Sequence, residues 1–545
     1  MKPVIPLSKL EKILIIILVI LAAVTIAGGM LLLLYTPDDE DLPGQSSGKK
    51  ADWSQEEQMA QEVSLDDITS VLPEHCDLNQ KIPDVSFEDE NGKEVSVRAF
   101  EGKVTVLTFW ASWCPDCQKE LSLLNQFLDR AKGYGEINYV LINKLDNLKE
   151  TKEKATQYLS KQEIPINTYY DNGLAAYKKL GLHNIPTTIF LDEQGIIRAW
   201  SSRQITEASV FEGFLKDAVE GSAAVTCEFV TSHMMDSKGG IHTIYDTSRE
   251  KTEASDVLCE TQGAMLEYAV LKNDRELFDK IYHYVNSVMK THGLTAWKVT
   301  ENKPSPVNSL LDDLRIIKAL MAANRLWGGY DEAINDYKKE LLRYGVSNGS
   351  YVDFYDSKFK KNGNRFTLCY GDLKTMKELS IQEERLKEPY EKAKKLITEG
   401  KISDEFPLYY SWYNYKTKAY EKDDINMAEA MVTLLHLAEA DQLEEDTIAW
   451  LKKEMDQEGV KARYSVEGKV IDGYHYDSTA VYALIAMIAE RIGDRDLQGK
   501  ALKKMEKMRI VNTSYVYHGA FGLEDGTGIT SFDQVMAMLA YEYTN

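Results

Sequence analysis

Two cysteines separated by two residues follow an apolar run, and this pattern constrains the fold more than any other feature of the chain. The run is residues 104–110, and Cys114 and Cys117 come directly after it. A strand that hands over to a helix here would place Cys114 at the helix N-terminus, where free N–H groups stabilise a thiolate. The second thiol could then resolve a mixed disulfide. No second CxxC or Cys/His pair completes a zinc site in the sequence, so we interpret the pair as redox-active.

The residues around the cysteines predict a thioredoxin fold. A hairpin signal at 90–93 precedes the apolar run, a helix is expected to about residue 132, and strand-like runs follow at 137–142, 164–170 and 185–191. A last helix is expected at about 206–220. With the motif Phe-Trp-Ala-Ser-Trp-Cys-x-x-Cys at 109–117, residues 83–220 resemble the membrane-tethered thioredoxin-like reductases of the TlpA/ResA type.

That resemblance implies roles for five residues. Cys114 would be the attacking thiol and Cys117 the resolving thiol, with Glu120 as a proton acceptor beside them. Pro186 would be a cis-proline that, with Trp113, holds the backbone of a protein substrate. The alternative for Pro186 is an ordinary proline on an edge strand.

The N-terminal region predicts a membrane anchor. Residues 13–34 are 22 consecutive residues without a charge, which as a helix span about 33 Å and can cross a bilayer. Lysines precede this run and an acidic stretch follows it, so residues 1–12 are expected in the cytoplasm and the rest outside the cell membrane. The alternative is a cleaved signal peptide. Residues 35–70 are polar and acidic, as in a flexible linker.

Composition excludes some classes of function. The formal net charge is −22 and is spread along the chain, which disfavours nucleic acid binding. Six cysteines are too few for a disulfide scaffold, and no cluster of metal-ligating residues or cofactor motif stands out. Cys76 and Cys227 bracket the segment at 71–222, so a bridge between them is one hypothesis, and free thiols are the other.

Residues 223–545 predict an all-α domain. An apolar helix, a tight turn rich in Asn, Asp or Gly, and a more polar helix recur at residues 265–290, 314–344, 427–456 and 476–508. Repeated pairs at irregular intervals favour an α/α toroid over a short-period solenoid. Taken together, the sequence predicts a multidomain chain: one transmembrane helix, an α/β thioredoxin fold and an (α/α)6 barrel.

Two stretches of this region resemble glycoside hydrolase family 8. They are residues 255–279, which include Glu260, and residues 308–328, which include Asp312 and Asp313. The resemblance implies an (α/α)6 barrel that cleaves β-linked polysaccharide with inversion, with Glu260 protonating the glycosidic oxygen. A glutamate without a partner inside an apolar helix is costly, which favours a functional role.

The second catalytic carboxylate is harder to place from sequence. The family signature reads Asp-small-Asp, whereas Asp312 and Asp313 are adjacent here. Asp424 fits the family's later aspartate loosely and is the predicted water-activating base, with Asp312 as a base or sugar contact and Asp313 as a sugar contact. The alternative is that Asp312 and Asp313 only cap a helix N-terminus.

Aromatic residues in long loops complete the predicted glycan site. Trp412, Tyr474 and Tyr476 could stack on sugar rings, although aromatics also anchor loops. The predicted partners are therefore protein thiols or disulfides at the outer membrane face, a polysaccharide, and the membrane itself. An alternative function is a barrel that only binds glycan or a protein partner, which would leave thiol–disulfide exchange as the one activity.

Overall fold

The computed structural model describes residues 73–162, 164, 166, 168–245 and 255–544. The predicted cytoplasmic tail, transmembrane helix and linker fall on residues 1–70, which lie outside that part of the chain. Among the described residues, every helix is too short or too polar to traverse a lipid bilayer. The thioredoxin-like domain, residues 73–220, and the barrel, residues 222–544, belong to one compact unit.

The thioredoxin-like domain is built on a mixed sheet. Seven described strands form it in the order β2-β1-β5-β4-β3-β6-β7. In chain order they are Ser86–Glu88, Glu94–Ser96, Thr105–Trp110, Asn138–Asn143, Thr168–Tyr170, Thr187–Leu191 and Ile197–Ser201. Five α-helices, α1 to α5, flank the sheet: Pro115–Ser122, Leu124–Ala131, Lys152–Lys161, Ala175–Lys179 and Ala208–Glu220.

Burial explains why β3 is the central strand. All six of its residues are buried, and it pairs in parallel with β4 and antiparallel with β6. Pro115 opens α1 at a position where the missing N–H is not needed. The single helix expected to residue 132 is two helices, because Leu123 leaves the regular helix between α1 and α2. The predicted thioredoxin fold is confirmed.

The barrel is a closed ring of helices within the described residues. Six inner helices are Cys259–Leu271 (α7), Leu310–Trp327 (α9), Leu373–Gln382 (α11), Met427–Glu439 (α13), Thr479–Ile492 (α15) and Ser531–Tyr543 (α17). Each packs against the next, and α17 returns to α7. Six outer helices are Ser222–Phe229 (α6), Arg275–Ser287 (α8), Asp331–Glu340 (α10), Lys387–Glu399 (α12), Glu445–Met455 (α14) and Arg495–Glu506 (α16).

Amphipathicity sorts the helices into the two layers. The inner helix α15 is buried without a break from Thr479 to Ala489, whereas the outer helix α8 buries one face. Tight turns join the predicted pairs, with Asn273 and Gly493 in the left-handed region that these residues tolerate. The predicted (α/α)6 barrel is confirmed. The pair α11/α12, and the pairing of α6 with α17, were not expected.

Short elements connect the helices. Two-residue and three-residue strands line the loops before the inner helices: Val257–Leu258 (β8), Lys290–Thr291 (β9), Leu294–Thr295 (β10), Lys298–Thr300 (β11), Lys303–Pro304 (β12), Val346–Ser347 (β13), Ser350–Tyr351 (β14), Tyr355–Asp356 (β15), Lys361–Asn362 (β16), Arg365–Thr367 (β17), Trp412–Asn414 (β18), Ala419–Tyr420 (β19), Ile425–Asn426 (β20) and Arg463–Tyr464 (β21). One-turn 3₁₀ segments are Val97–Phe100, Lys132–Tyr134, Asn172–Leu174, Leu368–Tyr370 and Glu384–Leu386, and π segments Val230–Met234 and Leu341–Gly345 end two outer helices.

A buried ion pair joins the thioredoxin-like domain to the barrel. Both guanidinium Nη atoms of Arg509 donate to the carboxylate of Asp217 at 2.5 Å, and both side chains are 1% exposed. Nearby, Gly213 approaches the carbonyl of Val511 so closely that an added Cβ would lie 1.7 Å from its oxygen. The contact therefore fixes α5 against the loop that follows α16.

Breaking this pair is expected to destabilise the protein strongly. Arg509→Met leaves the carboxylate of Asp217 buried without its cation, a situation that costs about 3–5 kcal/mol. The double variant Asp217→Leu/Arg509→Met removes both charges and should be more stable than Arg509→Met alone. Denaturant unfolding followed by circular dichroism measures both. Lys103→Met, in an exposed pair with Glu136, is the control, and an equal loss there would contradict the prediction.

The cysteines of the described residues are free thiols. The Sγ of Cys76 donates to the carbonyl oxygen of Leu180 at 3.7 Å, and burial raises the pKa of this thiol to about 12. Cys227 instead interacts with the side chain of Tyr268, and burial raises its pKa to about 11. The hypothesis of a Cys76–Cys227 bridge is therefore wrong, because the two thiols have separate surroundings.

Candidate functional sites: a dithiol and a carboxyl-lined cleft

The two thiols meet the predicted proline at the end of the central sheet. Cys114 is the N-cap of α1, and its Sγ accepts a hydrogen bond from the N–H of Cys117 at 3.4 Å. The same sulfur lies 3.5 Å from the carbonyl oxygen of Ile185, and the Ile185–Pro186 peptide bond is cis, as predicted. Burial is the main reason that the pKa of the Cys117 thiol is raised, and its hydrogen bond with Cys114 is the second. Cys117 is thus held as a thiol behind Cys114.

Glu120 lies beneath the thiols, where the sequence placed a proton acceptor. Its carboxylate accepts from the hydroxyl of Thr188 at 3.0 Å and from the N–H of Ile205 at 2.7 Å, and it is 1% exposed. Burial raises its pKa to about 7, and the two hydrogen bonds limit that rise. Its charge also raises the pKa of Cys117. A group that titrates near neutral pH beside a thiol can exchange a proton with it.

The raised pKa of Glu120 predicts a pH dependence of stability. Its folded pKa lies above the unfolded value, so the folded state holds the extra proton, and this stabilisation is lost as pH rises through about 7. Wild type should gain stability from pH 8 to pH 5, and Glu120→Gln should lose up to about 3 kcal/mol of that gain. Denaturant unfolding at both pH values measures it. Glu136→Gln, an exposed carboxyl, should behave as wild type, and an unchanged slope in Glu120→Gln would contradict the assignment.

Glu150 is a residue of this site that the sequence analysis missed. It is fully buried and accepts from the N–H of Ser112 at 2.9 Å, from the Ser112 hydroxyl at 2.7 Å and from the amide of Asn143 at 2.8 Å. Ser112 comes just before Trp113 and Cys114. The Nζ of the neighbouring Lys149 lies 3.3 Å from the centre of the Trp113 ring. Glu150 and Lys149 therefore hold the segment that leads into the thiols.

In the barrel, Glu260 and Asp312 lie on two neighbouring inner helices. Glu260 lies in the first turn of α7 and Asp312 in the first turn of α9. These helices approach closely, since a Cβ on Gly263 would lie 3.1 Å from the Cβ of Arg315. Burial raises the pKa of Glu260, and the Arg315 guanidinium opposes this rise. Burial and the charge of Glu260 raise the pKa of Asp312 to about 8.

Arg315 lies one turn after Asp312 on α9 and acts electrostatically on both carboxyls. It is 9% exposed, and its Nη1 has no hydrogen-bond partner among the residues that the structure describes. A buried guanidinium N–H that is left open can bind a hydroxyl or carboxylate of a ligand. Glu260 itself is half-buried, so solvent can reach it.

Asp313 points away from this pair. Its carboxylate accepts from the N–H of Thr295 at 2.9 Å and from the amide of Asn308 at 2.7 Å, and it is fully buried. Burial raises its pKa to about 7. The side chain thus ties α9 to the loop before it.

The barrel holds a further carboxyl that the sequence does not predict. It is Glu429, in the first turn of the inner helix α13. Burial raises its pKa to about 7, the guanidinium groups of Arg463 and Arg365 lower it, and the charges of Glu260 and Asp353 raise it. Its half-buried side chain therefore shares the electrostatic environment of Glu260. Asp424, the predicted base, is exposed just before β20.

The three predicted aromatic contacts lie beside the arginines that act on Glu429. Arg365 lies over the ring of Trp412 at 4.8 Å, and Arg463 lies over the ring of Tyr474 at 4.9 Å. The ring of Tyr476 is 6.1 Å from that of Tyr474. All three rings are half-buried, so part of each ring is open to solvent. In the described ranges, no group of three or more His, Cys, Asp or Glu side chains could hold a metal ion.

Comparison with known proteins agrees with both halves of the structure. The model of the AhpC/TSA family matches residues 78–200, and the model of glycosyl hydrolases family 8 matches residues 211–351. The chain is a fusion of these two families. The predicted thiol–disulfide oxidoreductase domain and the predicted family 8 glycosyl hydrolase domain are both confirmed.

Individual relatives cover one half of the fusion or the other. YdaJ of Bacillus subtilis (strain 168) is 28% identical over 319 residues, which are 57% of this chain and 84% of YdaJ. The thiol-disulfide oxidoreductase ResA of Bacillus thuringiensis subsp. konkukian (strain 97-27) is 27% identical over 144 residues, 26% of this chain and 79% of ResA. A solved structure described as a novel alpha-amylase from Clostridium perfringens is 32% identical, covers 59% of this chain and 97% of its own, and has a TM-score of 0.56.

Proposed function

We propose that the family 8 domain hydrolyses a polysaccharide with inversion and that the oxidoreductase domain exchanges disulfides in proteins outside the cell membrane. The observation that carries the first activity is the pair Glu260 and Asp312, two carboxyls in the first turns of neighbouring inner helices, with the open N–H of Arg315 on one of these helices. The observation that carries the second is the sulfur of Cys114 at 3.5 Å from the Ile185 carbonyl, next to Pro186.

Glu260 is the general acid in this proposal. A carboxyl that stays protonated near neutral pH can donate its proton to the glycosidic oxygen as the bond to the anomeric carbon breaks. Burial raises the pKa of Glu260 and so favours its protonated form. Trp412, Tyr474 and Tyr476 supply ring faces for sugars at the cleft wall, and Arg315 supplies a donor for a sugar oxygen.

Two classes of polysaccharide are candidates. The family resemblance favours a β-linked glycan. The 32% identical structure described as an alpha-amylase favours an α-linked glucan as the second candidate. Release of reducing sugar from a panel of purified β-glucans, β-linked amino-sugar polymers, starch and glycogen decides between them. Binding without release from any of them would show a glycan-binding module, and the hydrolase proposal would then be wrong.

The oxidoreductase domain acts through a two-step exchange. The Cys114 thiolate attacks a substrate disulfide, forms a mixed disulfide and releases one substrate thiolate. Cys117 then attacks Cys114, which frees the second substrate thiol and leaves the Cys114–Cys117 disulfide. Glu120 takes up the proton that Cys117 loses. A dithiol electron donor must reduce the pair again. Reduction of a model protein disulfide by the pre-reduced protein, one per molecule, tests this sequence.

The membrane anchor remains a proposal that rests on the uncharged run at residues 13–34 and the charges on either side of it. The protein should stay in the membrane fraction after a high-salt wash and leave it in detergent. A protease added to intact cells without a wall should digest it. Protection from that protease would contradict the outward orientation.

A further inference from the structure

We propose that Glu429 is the general base that activates water in the barrel, an assignment that rests on the proposed hydrolase function. An inverting hydrolase needs a carboxylic acid on one side of the sugar and a carboxylate on the other, with room for a water molecule between sugar and carboxylate. Glu260 provides the acid. The cleft must therefore hold an ionised carboxylate on the wall opposite α7.

The helix ring places Glu429 on that opposite wall. The inner helices pack in the order α7, α9, α11, α13, α15 and α17, and the ring closes from α17 to α7. The helix α13 is therefore three places from α7 in either direction. Glu260 and Glu429 both lie in the first turn of their helices. Asp312 lies on α9, next to α7, and so belongs to the same wall as the acid.

Burial raises the pKa of Glu429, and two arginines beside it oppose that rise. Asn426, the N-cap of α13, pairs with Arg463 in the β20–β21 ladder, and Arg365 approaches from β17. Both guanidinium groups favour the ionised carboxylate, while Glu260 and Asp353 oppose it. The Nη2 of Arg365 has no hydrogen-bond partner within the described residues. Two cations beside one carboxylate are suited to a base that must lose its proton before each turnover.

The other carboxyls near the cleft are already committed. Asp353 accepts from Arg365 at 2.9 Å, and from the N–H and hydroxyl of Thr367 at 2.7 Å and 2.6 Å. Asp313 is bonded to Thr295 and Asn308. Asp312 lies on the same wall as the acid, and burial raises its pKa to about 8. Asp424 is exposed. Glu429 is the carboxyl on the far wall that is free to accept a proton.

Hydrolysis of one glycosidic bond in this scheme consumes one water molecule and no other reactant. A water molecule between the sugar and Glu429 attacks the anomeric carbon and gives one proton to the Glu429 carboxylate. The bond between the anomeric carbon and the glycosidic oxygen breaks, and that oxygen takes the proton of Glu260. Glu429 then releases its proton to solvent and Glu260 regains one, so one water is consumed for each bond.

The test compares Glu429→Gln with wild type on the polysaccharide that the wild type hydrolyses. We expect kcat to fall by about 10³-fold, with little change in KM, and the acidic limb of the pH profile to disappear. Sodium azide, a nucleophile that needs no deprotonation, should restore turnover and give a glycosyl azide of inverted configuration. Glu429→Asp should keep partial activity. Glu445→Gln, an exposed carboxyl in the first turn of α14, is the matched control.

The outcomes separate the assignment from the function on which it rests. Wild-type activity that survives in Glu429→Gln, or a loss that azide does not restore in a folded variant, would overturn the assignment and leave the hydrolase in place. Loss of activity in Asp424→Asn with retention in Glu429→Gln would return the base to Asp424. A wild type that hydrolyses no glycan would remove the hydrolase proposal and the assignment together. Thermal unfolding of each variant shows whether it is folded.

Discussion

Glu260→Gln is expected to lower kcat for polysaccharide hydrolysis by about 10³-fold. Glutamine has the size of glutamate but cannot donate a proton to the glycosidic oxygen. The loss should shrink on a glycosyl fluoride or a nitrophenyl glycoside, because these leaving groups depart without protonation. Reducing-sugar release and fluoride release from the same protein preparation measure the two cases.

Glu276→Gln is the matched control for Glu260→Gln. Glu276 lies in the first turn of the outer helix α8 and is exposed, so Glu276→Gln should retain full activity. Azide should not restore the hydrolysis of unactivated polysaccharide by Glu260→Gln, because the missing group is the acid. Full activity of Glu260→Gln on polysaccharide would show that another residue protonates the leaving oxygen.

Cys117→Ser is expected to trap protein partners on Cys114, and Cys114→Ser to abolish disulfide exchange. Without the second thiol, the mixed disulfide on Cys114 has no internal nucleophile to resolve it, so it accumulates. Without Cys114, the buried Cys117 cannot start the reaction, because burial keeps it as a thiol. Non-reducing electrophoresis of each variant incubated with an oxidised model protein should show a dithiothreitol-sensitive adduct with Cys117→Ser alone.

Cys227→Ser is the control for this pair, since Cys227 is a half-buried free thiol in the barrel. Its exchange rate should equal that of wild type. Adducts that form equally in Cys114→Ser and Cys117→Ser would show that Cys114 is not the attacking thiol, and the proposed order of steps would then be wrong.

The thiol site could be predicted from sequence because its parts are local. The apolar strand, the helix start at Cys114 and the proline at 186 each leave a short-range pattern, and the structure brings them together. Glu150 could not be predicted, because its contact with Ser112 joins residues 38 apart in the chain. Sequence periodicity predicts which residues form a helix. It does not predict which distant segment a buried side chain such as that of Glu150 will contact.

In the barrel, too, the sequence does not predict contacts between segments that lie far apart in the chain. Four of its helix pairs have clear apolar and polar partners, and the sequence predicted these. The pair α11/α12 is less apolar, with two lysines, a threonine and a glutamate in the first two turns of α11, so its periodicity is weak. The outer helix α6 packs against α17, which lies some 300 residues later, so no local repeat could reveal that pair.

Glu429 also leaves a signal in the sequence. It lies in an apolar helix, as Glu260 does, and a buried carboxyl without a partner is costly in both places. The argument that favoured a function for Glu260 applies equally to Glu429. Asp424 fits the family pattern only loosely and lies in a loop. Glu260 on α7 and Glu429 on α13 come within electrostatic range of each other only in the closed ring of helices.

The configuration of the first sugar released tests the central claim most directly, namely that an acid and a base face each other across the barrel cleft. Proton NMR during the first minutes of hydrolysis, before mutarotation, distinguishes the two anomers of the new reducing end. The structure predicts that the first product has the anomeric configuration opposite to that of the bond cleaved. A first product of the same configuration would require a covalent intermediate and would contradict the assignment of Glu260 and Glu429.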